Sequence, residues 1–145
     1  MKRRNLVFVI ALIIGVALSF NASLAMAKDM TADDFKQEAY KNIETITVVD
    51  GKAIFDKGGA IFLDIRTDKE YKAGHVPGAI NISRGLLEWF ISKKVSDKNA
   101  SIVVYCKTGG RSCLGTNTLV KMGYKNAKNM DGGWKAWSKA GYPVE

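Results

Sequence analysis

Apolar and polar positions along this chain change rhythm several times, and each change marks an element. The first is a block: Leu6 to Phe20 is apolar apart from small residues and Ser19, with Lys2, Arg3 and Arg4 before it and Ala25-Met26-Ala27 after it. Basic head, apolar middle and A-x-A exit describe a secretory signal peptide over residues 1–27, with cleavage after Ala27. An uncleaved anchor is the alternative, but a bilayer crossing takes about 20 apolar residues, and this run is shorter. The working protein is then expected from Lys28 onward, exported to the periplasm or beyond, with membrane contact only through the leader while it remains attached.

Beyond Lys28 helical and strand-like spacing alternate. Thr31-Ala-Asp-Asp reads as an N-cap with early acids, and Phe35, Ala39 and Ile43 recur every four residues. That spacing predicts an amphipathic helix in an N-terminal extension, residues 28–44. A brief strand near Thr45 to Val48 and a helix over Gly51 to Lys57, stopped by Gly58-Gly59, follow. Ala60 to Ile65 is an apolar run too brief for a helix and bounded by turn residues, as a buried parallel strand is, and the β-branched Ser101 to Cys106 has the same character. Between them the pattern predicts a helix over Asp68 to Ala73 and a strand over Ala79 to Ile82. A helix from Gly85 to about Lys93 comes next, with Leu86, Leu87, Phe90 and Ile91 facing inward. After Cys106 come a glycine-containing loop, a helix from Ser112 to Met122, a strand at Ala127 to Met130 and a helix from Gly133 to Lys139.

No repeat or linker divides the rest, so residues 45–145 are expected to form one domain behind the extension. Strand–helix alternation predicts an α/β fold with a mostly parallel sheet and helices on both faces. In such sheets the chemistry gathers at the carboxyl ends of the strands. Asp64-Ile-Arg66 and the run from Cys106 to Arg111 fall there.

Composition narrows the function classes. The chain has 22 Lys and Arg against 14 Asp and Glu, and three of the basic residues are in the leader, so the mature excess is 19 less 14, or +5. The lysines are scattered without a basic run, which suits a solvated surface and not a nucleic-acid partner. One histidine and two cysteines, without paired spacing, are too few for a zinc centre. Cys106 and Cys113 would make an ordinary disulfide in an oxidising compartment, but their surroundings point elsewhere.

A thiol placed where a buried strand stops and a helix starts lies among backbone N–H groups with no intrahelical partner. Those donors and the positive end of the helix favour an anion, which lowers the pKa of Cys106 and holds it as thiolate. Gly109 and Gly110 let the loop curl with positive φ, so that successive amides converge on the sulfur. Lys107 and Arg111 add charge at the rim. The same cradle would receive the oxygens of an oxyanion such as thiosulfate.

Five ordered motifs are similar to the successive signatures of the rhodanese family. They are Asp64-Ile-Arg66; Glu70-Tyr71 with Gly74-His-Val-Pro-Gly-Ala-Ile-Asn81; Tyr105-Cys-Lys-Thr-Gly-Gly-Arg-Ser112; Gly123-Tyr124; and Asp131-Gly-Gly-Trp-Lys-Ala-Trp137. The resemblance covers about Ile46 to Val144. It implies a rhodanese-like three-layer fold with a five-stranded parallel sheet, and an active-site loop from Cys106 to Arg111 with Thr108, Gly109 and Gly110 in the cradle. It also implies a reaction. Cys106 takes the outer sulfur of a donor such as thiosulfate, sulfite leaves, and the Cys106 persulfide passes its sulfur to cyanide, a small thiol or a protein acceptor, with no metal or organic cofactor.

Supporting roles follow for the neighbours. Arg111 is read as a partner for donor oxyanions, Lys107 as a solvent-facing attractor and Ser112 as an N-cap. Asp64 and Arg66 pair with each other or brace the loop, and His75 bonds backbone within a turn fixed by glycine and proline. Trp134 and Trp137 read as core; Trp89 is either core or a rim that selects the acceptor. Cys113 is either an inert buried thiol or a resolving thiol. Two rival functions remain: a persulfide carrier without efficient turnover, and a phosphatase or arsenate reductase. The second usually follows a C-x5-R spacing, whereas Arg111 stands five positions after Cys106.

Overall fold

The computed structural model describes residues 29–145, so the leader read over residues 1–27 lies outside the described residues. Three threonines start the first three helices: α1 (Ala32–Tyr40), α2 (Val48–Lys57) and α3 (Asp68–Lys72). Thr31, Thr47 and Thr67 each accept the amide three residues on, and Asp34, Asp50 and Glu70 reach back to the cap amide. Each reciprocal pair satisfies two donors that a helix start leaves without partners.

Five strands, β1 (Glu44–Ile46), β2 (Ile61–Asp64), β3 (Ile80–Asn81), β4 (Ile102–Tyr105) and β5 (Ala127–Met130), form one sheet in the order β1-β5-β4-β2-β3. Every pairing is parallel, with Asp64 opposite Tyr105 and Val104 opposite Asn129. A strand turns successive side chains to opposite faces, and the core divides accordingly. Leu63, Ile102, Val104, Cys106 and Ala127 meet Leu87, Ile91 and Leu119 on one face. Leu87 and Ile91 belong to α4 (Leu87–Lys94), and Leu119 to α5 (Gly110–Lys121). Phe62, Val103, Tyr105 and Met130 meet Phe55 of α2 and Trp137 of α6 (Gly133–Lys139) on the other. The sheet therefore lies between two helical layers, and α1 packs on α5 as an addition to the first. Among the described residues no helix is long and apolar enough to cross a membrane.

Several sequence expectations are corrected. Leu86 and Phe90 do not face inward: they are 50% and 41% exposed, and Trp89 beside them is 74% exposed. Arg84–Leu86 is a tight 3-10 turn, so Leu86 precedes α4, and that two-turn helix is narrow enough to bury only Leu87 and Ile91. Phe35 is likewise exposed, since α1 rests on the domain through Ala39. Helix α5 begins at Gly110 and not at Ser112.

Candidate functional site

Cys106 is the residue after β4, and α5 starts four residues later. That short span reverses only because Gly109 takes a left-handed φ of 102°. A Cβ there would come 2.6 Å from Asp131 Oδ1, so a larger residue would be strained and also crowded. Gly110 has no positive φ, contrary to the expectation that both glycines curl. It already belongs to the helix, and one left-handed residue suffices to turn the chain.

The reversal aims donors at the sulfur. The amides of Gly109 and Ser112 point at Cys106 Sγ from 3.3 and 3.4 Å, and the Ser112 hydroxyl lies 3.5 Å away. Burial pushes the thiol pKa up, but bonds from the Ser112 hydroxyl and amide and from the amides of Thr108 and Gly109 outweigh it. The net direction is down. Ser112 is therefore not the N-cap expected from sequence. It is the third residue of α5, fully buried, and its Oγ also donates to the Gly109 carbonyl at 3.0 Å.

The loop is pinned from below. The amides of Trp134 and Lys135, in the first turn of α6, donate to the carbonyls of Cys106 (2.8 Å) and Lys107 (3.0 Å). Gly133 makes this approach possible, because a Cβ at that position would run into the Cys106 carbonyl oxygen. Lys107 and Thr108 are exposed at the rim and Gly109 is buried.

Arg111 is not a free guanidinium. Its Nη1 and Nη2 donate to Glu70 Oε2 and Oε1 at 2.9 and 2.7 Å. This pair, foremost, holds the Glu70 carboxyl down at about 2. Arg111 directly precedes Ser112, whose amide donates to the Cys106 sulfur, so the ion pair flanks the end of the cysteine loop. The role of Glu70 was missed in the sequence, although Thr67-Asp-Lys-Glu70 has the spacing that would have placed its carboxylate at the start of α3.

Asp64 and Arg66 pair with each other. Arg66 Nε and Nη2 hold Asp64 Oδ2 at 2.9 and 2.6 Å, and Nη2 reaches the Gly74 carbonyl at 2.7 Å. The guanidinium lies over the Trp134 ring, 4.8 Å from its centroid. With Asp64 and Arg66 at 0% and 2% exposure, the pair joins the end of β2 to the turn that carries His75. His75 stacks on Tyr71 at 3.7 Å, and its Nδ1 lies 3.1 Å from the Tyr71 carbonyl oxygen. Trp137 is buried in the core, while Trp134 is only partly buried. Cys113 lies buried beneath α1, its Sγ 3.6 Å from the Lys36 carbonyl oxygen, and burial pushes its thiol pKa up.

Known proteins share this fold. A match to the family "Rhodanese-like domain" spans residues 32–140 and so takes in α1. The thiosulfate sulfurtransferase GlpE of Pseudoalteromonas translucida is 31% identical over 70% of this chain and 92% of its own length. A Rhodopseudomonas palustris structure, described as a protein of unknown function and possible tyrosine phosphatase, superposes with a TM-score of 0.76 at 29% identity. It covers 85% of this chain and 100% of that one. The polysulfide-sulfur transferase homodimer of Wolinella succinogenes gives a TM-score of 0.66 at 28% identity, over 76% of this chain and 83% of its own. Matched over most of its length in both sequence and fold, the chain belongs to the rhodanese-like domain family, in the company of named sulfurtransferases.

Proposed function

We propose that this chain is an exported sulfurtransferase that carries sulfane sulfur as a persulfide on Cys106. The observation that supports this reading best is the convergence of two amides and one hydroxyl on a buried sulfur at the end of the central strand. Donors so placed favour the thiolate over the thiol, and a buried thiolate without them would be severely destabilised.

In the first half-reaction the Cys106 thiolate attacks the outer sulfur of a donor such as thiosulfate. A new S–S bond forms at Cys106, the donor's S–S bond breaks, and sulfite leaves with the electron pair. In the second, cyanide or a thiolate attacks the outer sulfur of the persulfide, and the pair returns to Cys106. The same donors stabilise the anionic sulfur before and after each step. The loop amides of Thr108, Gly109 and Gly110 surround the incoming group, with Lys107 and Arg111 at the rim. Asp64, Arg66, His75 and Ser112 hold this frame, and the persulfide itself serves where other enzymes use a cofactor. The leader read over residues 1–27 directs the domain of residues 45–145 and its helical extension to the periplasm. Phosphoryl transfer is served less well, since Arg111 is engaged by Glu70 and the loop is short of the C-x5-R span.

Steady-state turnover with thiosulfate and cyanide tests this reading. Thiocyanate should form catalytically, and Cys106→Ser should abolish it; full activity in that variant refutes the mechanism. Stoichiometric loading without turnover would instead identify a carrier.

A further inference from the structure

An arginine that collects anions usually shows them a bare guanidinium. Arg111 instead has both terminal nitrogens on Glu70, and Glu70 is itself fixed, its Oε2 accepting the Thr67 amide and hydroxyl at 3.1 and 3.0 Å. The carboxylate is thus fixed beside Arg111, at the end of the cysteine loop, by the helix cap that it completes. Glu70 offsets the Arg111 charge, leaving Lys107 at the rim to balance the thiolate, and its carboxylate adds a repulsive charge for an incoming anion. Main-chain amides attract any anion, but Coulomb repulsion grows with the charge of the approaching ion. A dianion is repelled twice as strongly as a monoanion from the same place.

We propose that Glu70 is a specificity-determining residue that biases the site toward singly charged sulfane-sulfur donors, such as an organic thiosulfonate, over doubly charged thiosulfate. The proposal deepens the sulfur-transfer reading of Cys106 and rests on it. With a thiosulfonate the step balances as before. The thiolate attacks the outer sulfur, the Cys106 S–S bond forms, the donor's S–S bond breaks, and a sulfinate leaves with the electron pair.

The test is Glu70→Gln, because glutamine completes the same capping box while removing the charge and one of the two Arg111 bonds; thermal melting checks that the fold is kept. Reaction at Cys106 is followed by intact mass at fixed ionic strength and at a pH well above the thiol midpoint, where the thiolate fraction is already complete, with uncharged iodoacetamide, singly charged methanethiosulfonate and doubly charged thiosulfate. The ratio of variant rate to wild-type rate should stay within about twofold for iodoacetamide. It should rise about threefold for methanethiosulfonate and about tenfold for thiosulfate, following the charge of the reagent, and the spread should narrow in high salt. One common factor for all three makes Glu70 structural, and a fall with thiosulfate makes it the holder of an Arg111 clamp; either result overturns the filter.

Inert sulfate and methanesulfonate, measured by the protection they give Cys106 against iodoacetamide, repeat the test without any transfer. Protection should tighten about tenfold and about threefold respectively in the variant, and equal changes overturn the proposal. A wild-type Cys106 that is alkylated yet gains no sulfur from either donor refutes sulfur transfer, while the protection series still decides the filter.

Discussion

Replacing Ser112 with alanine removes one donor from the Cys106 sulfur and leaves the backbone donors in place. The Ser112 hydroxyl sits 3.5 Å from Sγ and 3.0 Å from the Gly109 carbonyl oxygen. It has one proton, so it bonds the carbonyl while the sulfur is a thiol and turns to the sulfur when the thiol ionises. A hydrogen bond to a charged group contributes about 1.5–3 kcal/mol and a neutral one about 1 kcal/mol. The difference, roughly 1 kcal/mol, is the preference of this hydroxyl for the thiolate. Ser112 is fully buried, and alanine leaves a gap smaller than a water molecule, so solvent does not restore the bond. Ser112→Ala should therefore shift the pH profile of Cys106 alkylation by iodoacetamide to higher pH. At a fixed pH below the thiol midpoint the rate should fall about fivefold. The assay is second-order alkylation followed by intact mass across a pH series, with the Cys106→Ser protein as blank. An unchanged profile would refute the reasoning, since it would leave the hydroxyl on Gly109 in both protonation states.

Three further outcomes follow from the same geometry. Asp64→Ala strands the buried Arg66 guanidinium and should cost about 3–5 kcal/mol in chemical denaturation; a loss below about 1 kcal/mol would show that the Gly74 carbonyl and the Trp134 ring suffice. Glu70, held at about 2 against an ordinary 4.5, contributes stability that is fully present above pH 4.5 and is lost as the pH falls toward 2. The linkage is about 3 kcal/mol at face value, cut to about 1 kcal/mol by solvent because the Arg111 and Glu70 side chains are 40% and 30% exposed. Glu70→Gln should flatten that part of the acid unfolding curve, and an unaltered curve would contradict it. Cys113→Ala should load sulfur at Cys106 as the wild type does, because Cys113 is buried beneath α1 with its thiol pKa pushed up. A Cys106–Cys113 disulfide in the wild type after donor treatment, detected as a loss of two hydrogens, would contradict this.

Where punctuation and burial coincide, the fold was legible in the sequence. The final strand and helix, Ala127–Met130 and Gly133–Lys139, fall where Asp131-Gly132-Gly133 separates a short extended segment from a helical one. The central strands stand out because they are covered on both faces and therefore read as unbroken apolar runs. Helix α4 was legible in position but not in facing: Leu86 and Phe90 look like core residues in a string of letters, and only the 3-10 turn before Leu87 shows which side the helix presents. The nucleophile could be read from the strand–loop–helix pattern, whereas the donors on its sulfur could not be assigned. Gly110 looks like loop because glycine is a poor helix former, and that hid Ser112 as a third-position residue aimed inward. The Glu70–Arg111 pair spans 41 residues, and no local spacing reports such a contact.

Intact mass spectrometry of the protein after incubation with a sulfane-sulfur donor tests the central claim most directly. One added sulfur should appear on the peptide containing Cys106, vanish with a thiol or cyanide, and be absent from Cys106→Ser. An unmodified Cys106 under conditions where the folded protein is otherwise alkylated at that residue would contradict the assignment of a persulfide-forming thiolate.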